Sequence, residues 1–135
     1  MNIVKIMVPK CFTVFLHENQ TVRQGLEIIA HHGYTAILVL DEQERYVGSV
    51  TEGDFLRCIL NNDIVDKHGM EKHRISEIVR RDFCPALSID AEEETVIDAV
   101  LQQNFVPIVD ARNALCGIVT RRRLIAYMAG KELSL

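Results

Sequence analysis

The chain states one pattern twice. Ile37-Leu38-Val39-Leu40-Asp41, a polar turn and Val47-Gly48-Ser49-Val50-Thr51 recur 69 positions later as Val106-Pro107-Ile108-Val109-Asp110, a polar turn and Cys116-Gly117-Ile118-Val119-Thr120. The two stretches align without a gap, and Asp, Gly and Thr fall in register. A repeat of this length is one supersecondary unit used twice, and such units bury their apolar faces against each other. The seam between the copies is where a site is expected.

Both copies share an order of elements. Residues 12–16 are dense in aromatic and β-branched side chains and read as a strand. Val22, Leu26, Ile29 and Ala30 form a helical stripe over 21–32 that Gly33 stops. Strands over 37–40 and 46–50 flank a polar hairpin turn, and a helix over 52–60 turns Phe55, Leu56 and Ile59 inward. The second copy predicts strands over 86–89, 105–109 and 115–119 and helices over 93–102 and 121–128, with Leu124, Ile125 and Met128 at the matching inward positions. From Thr95 to Pro107 it is five residues shorter than from Thr21 to Leu38, which predicts a middle helix about a turn shorter. Short apolar lead-ins, 1–8 and 75–80, precede the copies. Residues 1–62 are the first repeat, 63–74 a linker and 75–135 the second repeat. The expectation is an α/β (α+β) fold of two β-α-β-β-α repeats, packed sheet to sheet with pseudo-twofold symmetry and leaving two related clefts.

A length of 135 residues suits one compact domain or two tightly packed halves. The net charge of −4 argues against general nucleic-acid affinity, although a local basic cluster can still bind an anion. No run of about 18 apolar residues is present, so no membrane-spanning helix is expected. The N-terminal stretch is too short and interrupted for a secretory signal. The four cysteines, at 11, 58, 84 and 116, show neither zinc nor Cys-x-x-Cys spacing and read as reduced thiols in a cytoplasmic protein.

The apolar-Pro/Leu-apolar-apolar-Asp strand, the Gly-x-apolar-Thr strand and the Thr-x-x-Asp helix start together resemble the tandem CBS domain pair (the Bateman module). Gly48-Ser49-Val50-Thr51-Glu52-Gly53-Asp54 and Gly117-Ile118-Val119-Thr120-Arg121-Arg122-Arg123 are the most specific stretches, and the resemblance covers about residues 3–130. It implies a non-catalytic sensor of an adenine nucleotide: AMP, ADP, ATP, S-adenosylmethionine or cyclic di-AMP. It also implies a homodimer that passes occupancy to a regulated protein.

Thr51-Glu52-Gly53-Asp54 opens a helix, where amides without intrahelical acceptors and a positive dipole suit a phosphate. Thr51 offers a hydroxyl to that phosphate, and by resemblance Asp54 accepts the ribose hydroxyls. The competing reading is a capping box, in which Thr51 caps and Asp54 reaches back. In the second copy Thr120 remains but Arg123 replaces the aspartate. Arg121, Arg122 and Arg123 crowd a helix start where cations are disfavoured, which points to an anion docking there, with Arg121 and Arg122 preferred. The resemblance nominates Phe12, Thr13, Thr35 and Ala36 for the base at one site, and Phe83, Pro85 and Phe105 at the other. Lys10 and Arg81 flank the same strands within reach of phosphates. No nucleophile-base pair, metal cluster or Gly-rich loop stands out, so neither an enzyme nor an obligatory cofactor is expected. The missing aspartate at 123 keeps open an interaction module that has lost its ligand, and the arginine cluster keeps open a nucleic-acid contact, against which the acidic total weighs.

Overall fold

A chain that repeats its hairpins must find a neighbour for each exposed sheet edge. The computed structural model describes residues 2–133. It runs α1 (Ile3–Ile6), β1 (Val8–Pro9), a 3₁₀ turn (Lys10–Phe12), β2 (Phe15–His17), α2 (Val22–His32), β3 (Ala36–Leu40), β4 (Tyr46–Thr51), α3 (Glu52–Asn61) and α4 (Lys67–Met70), then a second 3₁₀ turn (Ile75–Glu77). It continues through β5 (Leu87–Ser88), α5 (Glu93–Gln102), β6 (Phe105–Val109), β7 (Leu115–Thr120) and α6 (Arg121–Met128). The chain divides into two compact units. The contiguous unit is Phe15–Phe83; the split unit joins the residues up to Val14 to those from Cys84 onward.

That division differs from the repeats. The lead-in of the first repeat belongs to the sheet of the second: β1 pairs antiparallel with β7, Val8 against Ile118 and Pro9 against Gly117, in the order β1-β7-β6-β5. In the contiguous unit β2, β3 and β4 form a three-stranded sheet, and the second lead-in touches its edge through a bridge between Ser49 and Arg80. The glycines of the repeat follow from this pairing. A Cβ on Gly48 would lie 2.2 Å from the Arg80 carbonyl oxygen, and one on Gly117 would lie 2.2 Å from that of Val8. Only glycine admits so close a strand.

The repeated aspartates close the hairpins. Asp41 Oδ1 accepts from the Gln43 and Arg45 amides, and Asp110 Oδ1 from the Arg112 and Ala114 amides. Both turns pass through a left-handed residue, Glu44 (φ 64°) and Asn113 (φ 65°). These are Asx turns, which replace backbone partners in a tight reversal. The repeated threonines cap α3 and α6.

Ile6, Val96, Val106, Ile108, Val119 and Leu124 are buried in the core of the split unit. In the contiguous unit α2 lies so close that a Cβ on Gly25 would meet Ile75, Leu16 and Phe55. Burial of such a side chain contributes roughly 1.5–3 kcal/mol over exposure.

Several expectations shift. Residues 12–16 begin as a 3₁₀ turn closed by the Thr13 amide on the Lys10 carbonyl (3.0 Å), so the strand starts at Phe15. The linker is ordered on α2: the Val22 amide donates to His73 O (2.8 Å) and the Ile75 amide to Gln20 O (2.9 Å), and Arg23 pairs with Glu71. The middle helices differ by one residue, 11 against 10, rather than a turn. The counterpart of the capping Thr21 is Glu92, not Thr95, so most of the inferred deficit disappears. Leu56, Ile125 and Met128 point outward, at 56%, 60% and 59% exposure, while Cys58 takes an inward place on α3.

Candidate functional site

The two helix starts that follow β4 and β7 share a cap and diverge three residues later. At the first, the Thr51 hydroxyl accepts from the Asp54 amide (3.3 Å), and Asp54 Oδ2 accepts from the Thr51 amide (2.8 Å) and hydroxyl (3.0 Å). The capping box is therefore formed. Asp54 Oδ1 accepts from Arg57 Nη2 (2.6 Å) and Arg80 Nε (2.8 Å), and the Arg80 guanidinium stacks 4.5 Å over the Phe83 ring. Burial pushes the Asp54 carboxyl up. The Thr51 amide, Arg80, Arg57 and the Thr51 hydroxyl outweigh it and hold the group below the ordinary aspartate range. A ribose diol at this carboxylate would have to displace an arginine.

At the second start, Thr120 accepts from the Arg123 amide (3.2 Å), and Arg123 Nε donates to the Ile6 carbonyl (2.7 Å), at the C-terminal end of α1 where a cation is favoured. Arg121 turns away: Nε and Nη2 donate to Val100 O (3.1 and 3.0 Å) and Nη2 to Gln103 O (3.2 Å), capping the end of α5. It thus serves the fold rather than the anion expected of it. The first-turn amides are also partly taken. Glu52 N donates to Thr35 O (3.0 Å) and Arg121 N to Asn104 O (3.2 Å).

Arg122 faces a cavity of about 690 Å³ in the split unit, lined by Val8, Phe12, Arg122, Arg123, Ala126, Lys131, Glu132 and Leu133. Its size lies in the range of small-molecule sites. Phe12, 65% exposed, offers a flat apolar surface there. Among the described residues of its lining, Arg122, Arg123 and Lys131 bring three positive charges against the carboxylate of Glu132. The wall suits an anionic ligand with an aromatic part.

The structure regroups the expected residues. Phe12, Thr13 and Lys10 belong to the split unit, whereas Thr35 and Ala36 stand in the contiguous unit. Thr13 spends its hydroxyl proton on the Pro9 carbonyl (3.0 Å), and Lys10 lies in the 3₁₀ turn that ends at Phe12. Phe83 joins the Asp54 corner through Arg80. Pro85 and Phe105 are tied through their carbonyls to Gln103 Nε2 (3.2 and 3.1 Å) and do not line the cavity. Arg81 reaches Glu18 (3.5 Å).

Sequence reasoning missed Val8, Ala126, Lys131, Glu132 and Leu133. One signal was available in Gly130. At φ 70° it reverses the chain after α6, with the Lys131 amide on Ala126 O (2.8 Å) and the Gly130 amide on Tyr127 O (3.1 Å). This helix-ending pair of bonds returns the tail to the cavity.

Among the described residues no group of three His, Cys, Asp or Glu side chains could hold a metal, and no helix is long and apolar enough to cross a membrane. The histidines outside α2 make carboxylate pairs, such as His17 Nε2 with Glu44 (3.0 Å).

Comparison with known proteins places these features in a family. An uncharacterised 17.7 kDa protein of Acidianus ambivalens is 28% identical over 108 residues, 78% of this chain and 61% of its own length. An L-aspartate semialdehyde sulfurtransferase of Methanocaldococcus jannaschii is 25% identical over 122 residues, 86% of this chain but 21% of that protein, so the chain spans only part of either relative. Among solved structures, the CbpB protein of Listeria monocytogenes in complex with c-di-AMP superposes with a TM-score of 0.83 at 20% identity, covering 96% of each chain. The CBS domain profile matches twice, over residues 3–61 and 75–130, and the chain therefore belongs to the CBS domain family as a tandem pair.

Proposed function

We propose that the chain is a non-catalytic regulatory module that binds an adenine nucleotide in the cavity of the split unit and transmits its occupancy to a partner protein. The observation that carries this reading is the wall itself: an exposed aromatic, Phe12, with Arg122, Arg123 and Lys131 about one space of about 690 Å³. Arg122 and Lys131 are the phosphate contacts and Phe12 the base contact. Thr120 supports the helix start, and Arg123 joins the lead-in to the same wall. The Asp54 corner, with Thr51, Thr35 and Ala36, becomes a second site only if ligand displaces Arg57 or Arg80.

Cyclic di-AMP is a second candidate, favoured by the complex of the Listeria protein whose fold this chain shares. A homodimer in the cytoplasm completes the proposal. The outward Leu56, Leu60, Ile125 and Met128 supply apolar surface for the dimer, and none of the four cysteines is joined in a disulfide.

Native mass spectrometry of the purified protein, joined to thermal unfolding with AMP, ADP, ATP, S-adenosylmethionine and cyclic di-AMP, tests the reading. A true ligand at about 100 times its Kd raises stability by ~2.7 kcal/mol. A protein that carries no nucleotide and responds to none of the five is instead an interaction module.

A further inference from the structure

We propose that Glu132 is the specificity residue of this cavity and that it accepts the ribose hydroxyls of the nucleotide. The assignment rests on the nucleotide reading above. Among the described residues that line the cavity, Glu132 is the one carboxylate beside three cationic side chains, and a carboxylate repels phosphate while accepting from hydroxyl donors. Carboxylates read ribose hydroxyls elsewhere by the same chemistry.

Three charges of this wall, those of Arg122, Lys131 and Glu132, are not spent on other described residues. No ion pair or side-chain hydrogen bond to another described residue engages Arg122, Lys131 or Glu132. Neighbouring opposite charges left apart in a cavity point to a ligand that carries both an anionic end and donors.

Glu132 is also held in place from both sides. The Lys131 amide is fixed to Ala126 O (2.8 Å) behind Gly130, and Leu133 packs on the core that holds Ile6 and Leu124. The residue between two anchors can keep its carboxylate at the wall. Its place follows from the layout of a nucleotide. With the base on Phe12 and the phosphates at Arg122 and Lys131, the group next to Lys131 meets the sugar, which lies between base and phosphate. The repeat pattern loses its helix-start carboxylate at Arg123, and the tail returns one to the same cavity.

The test is calorimetric titration of AMP, ADP and ATP, each against its 2′-deoxy form, into the wild type, Glu132→Ala and Arg122→Ala. The wild type should bind the ribonucleotide about tenfold more tightly than the deoxy form, the value of a hydrogen bond to a charged group. Glu132→Ala should bind the two within about twofold. Arg122→Ala should weaken both alike and keep their ratio. A wild type that binds without discriminating, or a preference that survives Glu132→Ala, overturns the assignment and leaves the nucleotide reading standing. If no ribonucleotide binds the wild type, the nucleotide reading itself fails and the assignment falls with it.

Discussion

Asp54 and Arg123 occupy the same place in two copies of one pattern, three residues after a capping threonine, and they solve opposite problems. Asp54 is buried and drawn into its own helix start, where an amide, a hydroxyl and two guanidinium groups saturate it. Arg123 reaches out of its helix to the carbonyl that ends α1. Each fastens the helix start to a lead-in, one through a side chain, Arg80, and the other through a backbone carbonyl, Ile6. The first corner is closed on itself. The second keeps charge free at Arg122, and the cavity opens there. The same backbone thus yields a closed clasp in one copy and a cavity lined by Arg122 and Arg123 in the other.

The two corners depend most heavily on their glycines. Gly48→Ala and Gly117→Ala should each cost about 3 kcal/mol in denaturant unfolding, since a Cβ at 2.2 Å from a carbonyl oxygen forces the lead-in strand aside. Losses near 1 kcal/mol at either would mean that its lead-in yields freely.

Next in size, Asp54→Ala should cost about 2 kcal/mol and Arg123→Ala about 1 kcal/mol, because the first removes a buried acceptor from four donors and the second a single charged donor. Equal losses would dissolve the distinction between the corners. The pH dependence sharpens it. The folded-state pKa of Asp54 is lowered, so its stabilisation is complete above the unfolded value of about 4 and disappears as pH falls through the folded one. The gap between wild type and Asp54→Ala should be constant from pH 7 to about 5 and close below about 4, while the gap for Arg123→Ala stays flat.

The caps come after that. Thr51→Ala should cost about 1.5 kcal/mol and Thr120→Ala about 1 kcal/mol, since only the first belongs to a reciprocal box. Arg122→Ala should change stability by less than about 0.5 kcal/mol, as expected of an exposed side chain, yet weaken nucleotide binding about tenfold. A large loss of stability there would turn the cavity wall into a structural brace.

The residues that repeat were readable because each has a local duty: the aspartates close turns, the glycines admit a strand and the threonines cap helices. Such duties act over a few residues, so spacing alone exposes them. The paths of the lead-ins were not readable, because a two-residue strand carries no mark of which hairpin it will join. For that reason the spacing of Phe12 and Phe83 did not reveal that the first lies in the split unit and the second under Arg80 in the contiguous unit. Arg121 looked like an anion contact because nothing in its sequence surroundings reveals the carbonyls that end α5. The cavity was half legible. Its arginines could be seen as a cluster, but the tail that completes it depends on a reversal at Gly130 and on the burial of Leu133.

The exchanged lead-ins make each copy incomplete by itself. A fragment ending near residue 62 would keep Gly48 and lose the Arg80 segment that fills its notch, while carrying Ile3, Ile6 and Met7 with nothing to cover them. Halving this polypeptide would therefore yield two sticky remnants rather than two smaller folded units, because each copy lends the other the segment that closes its sheet.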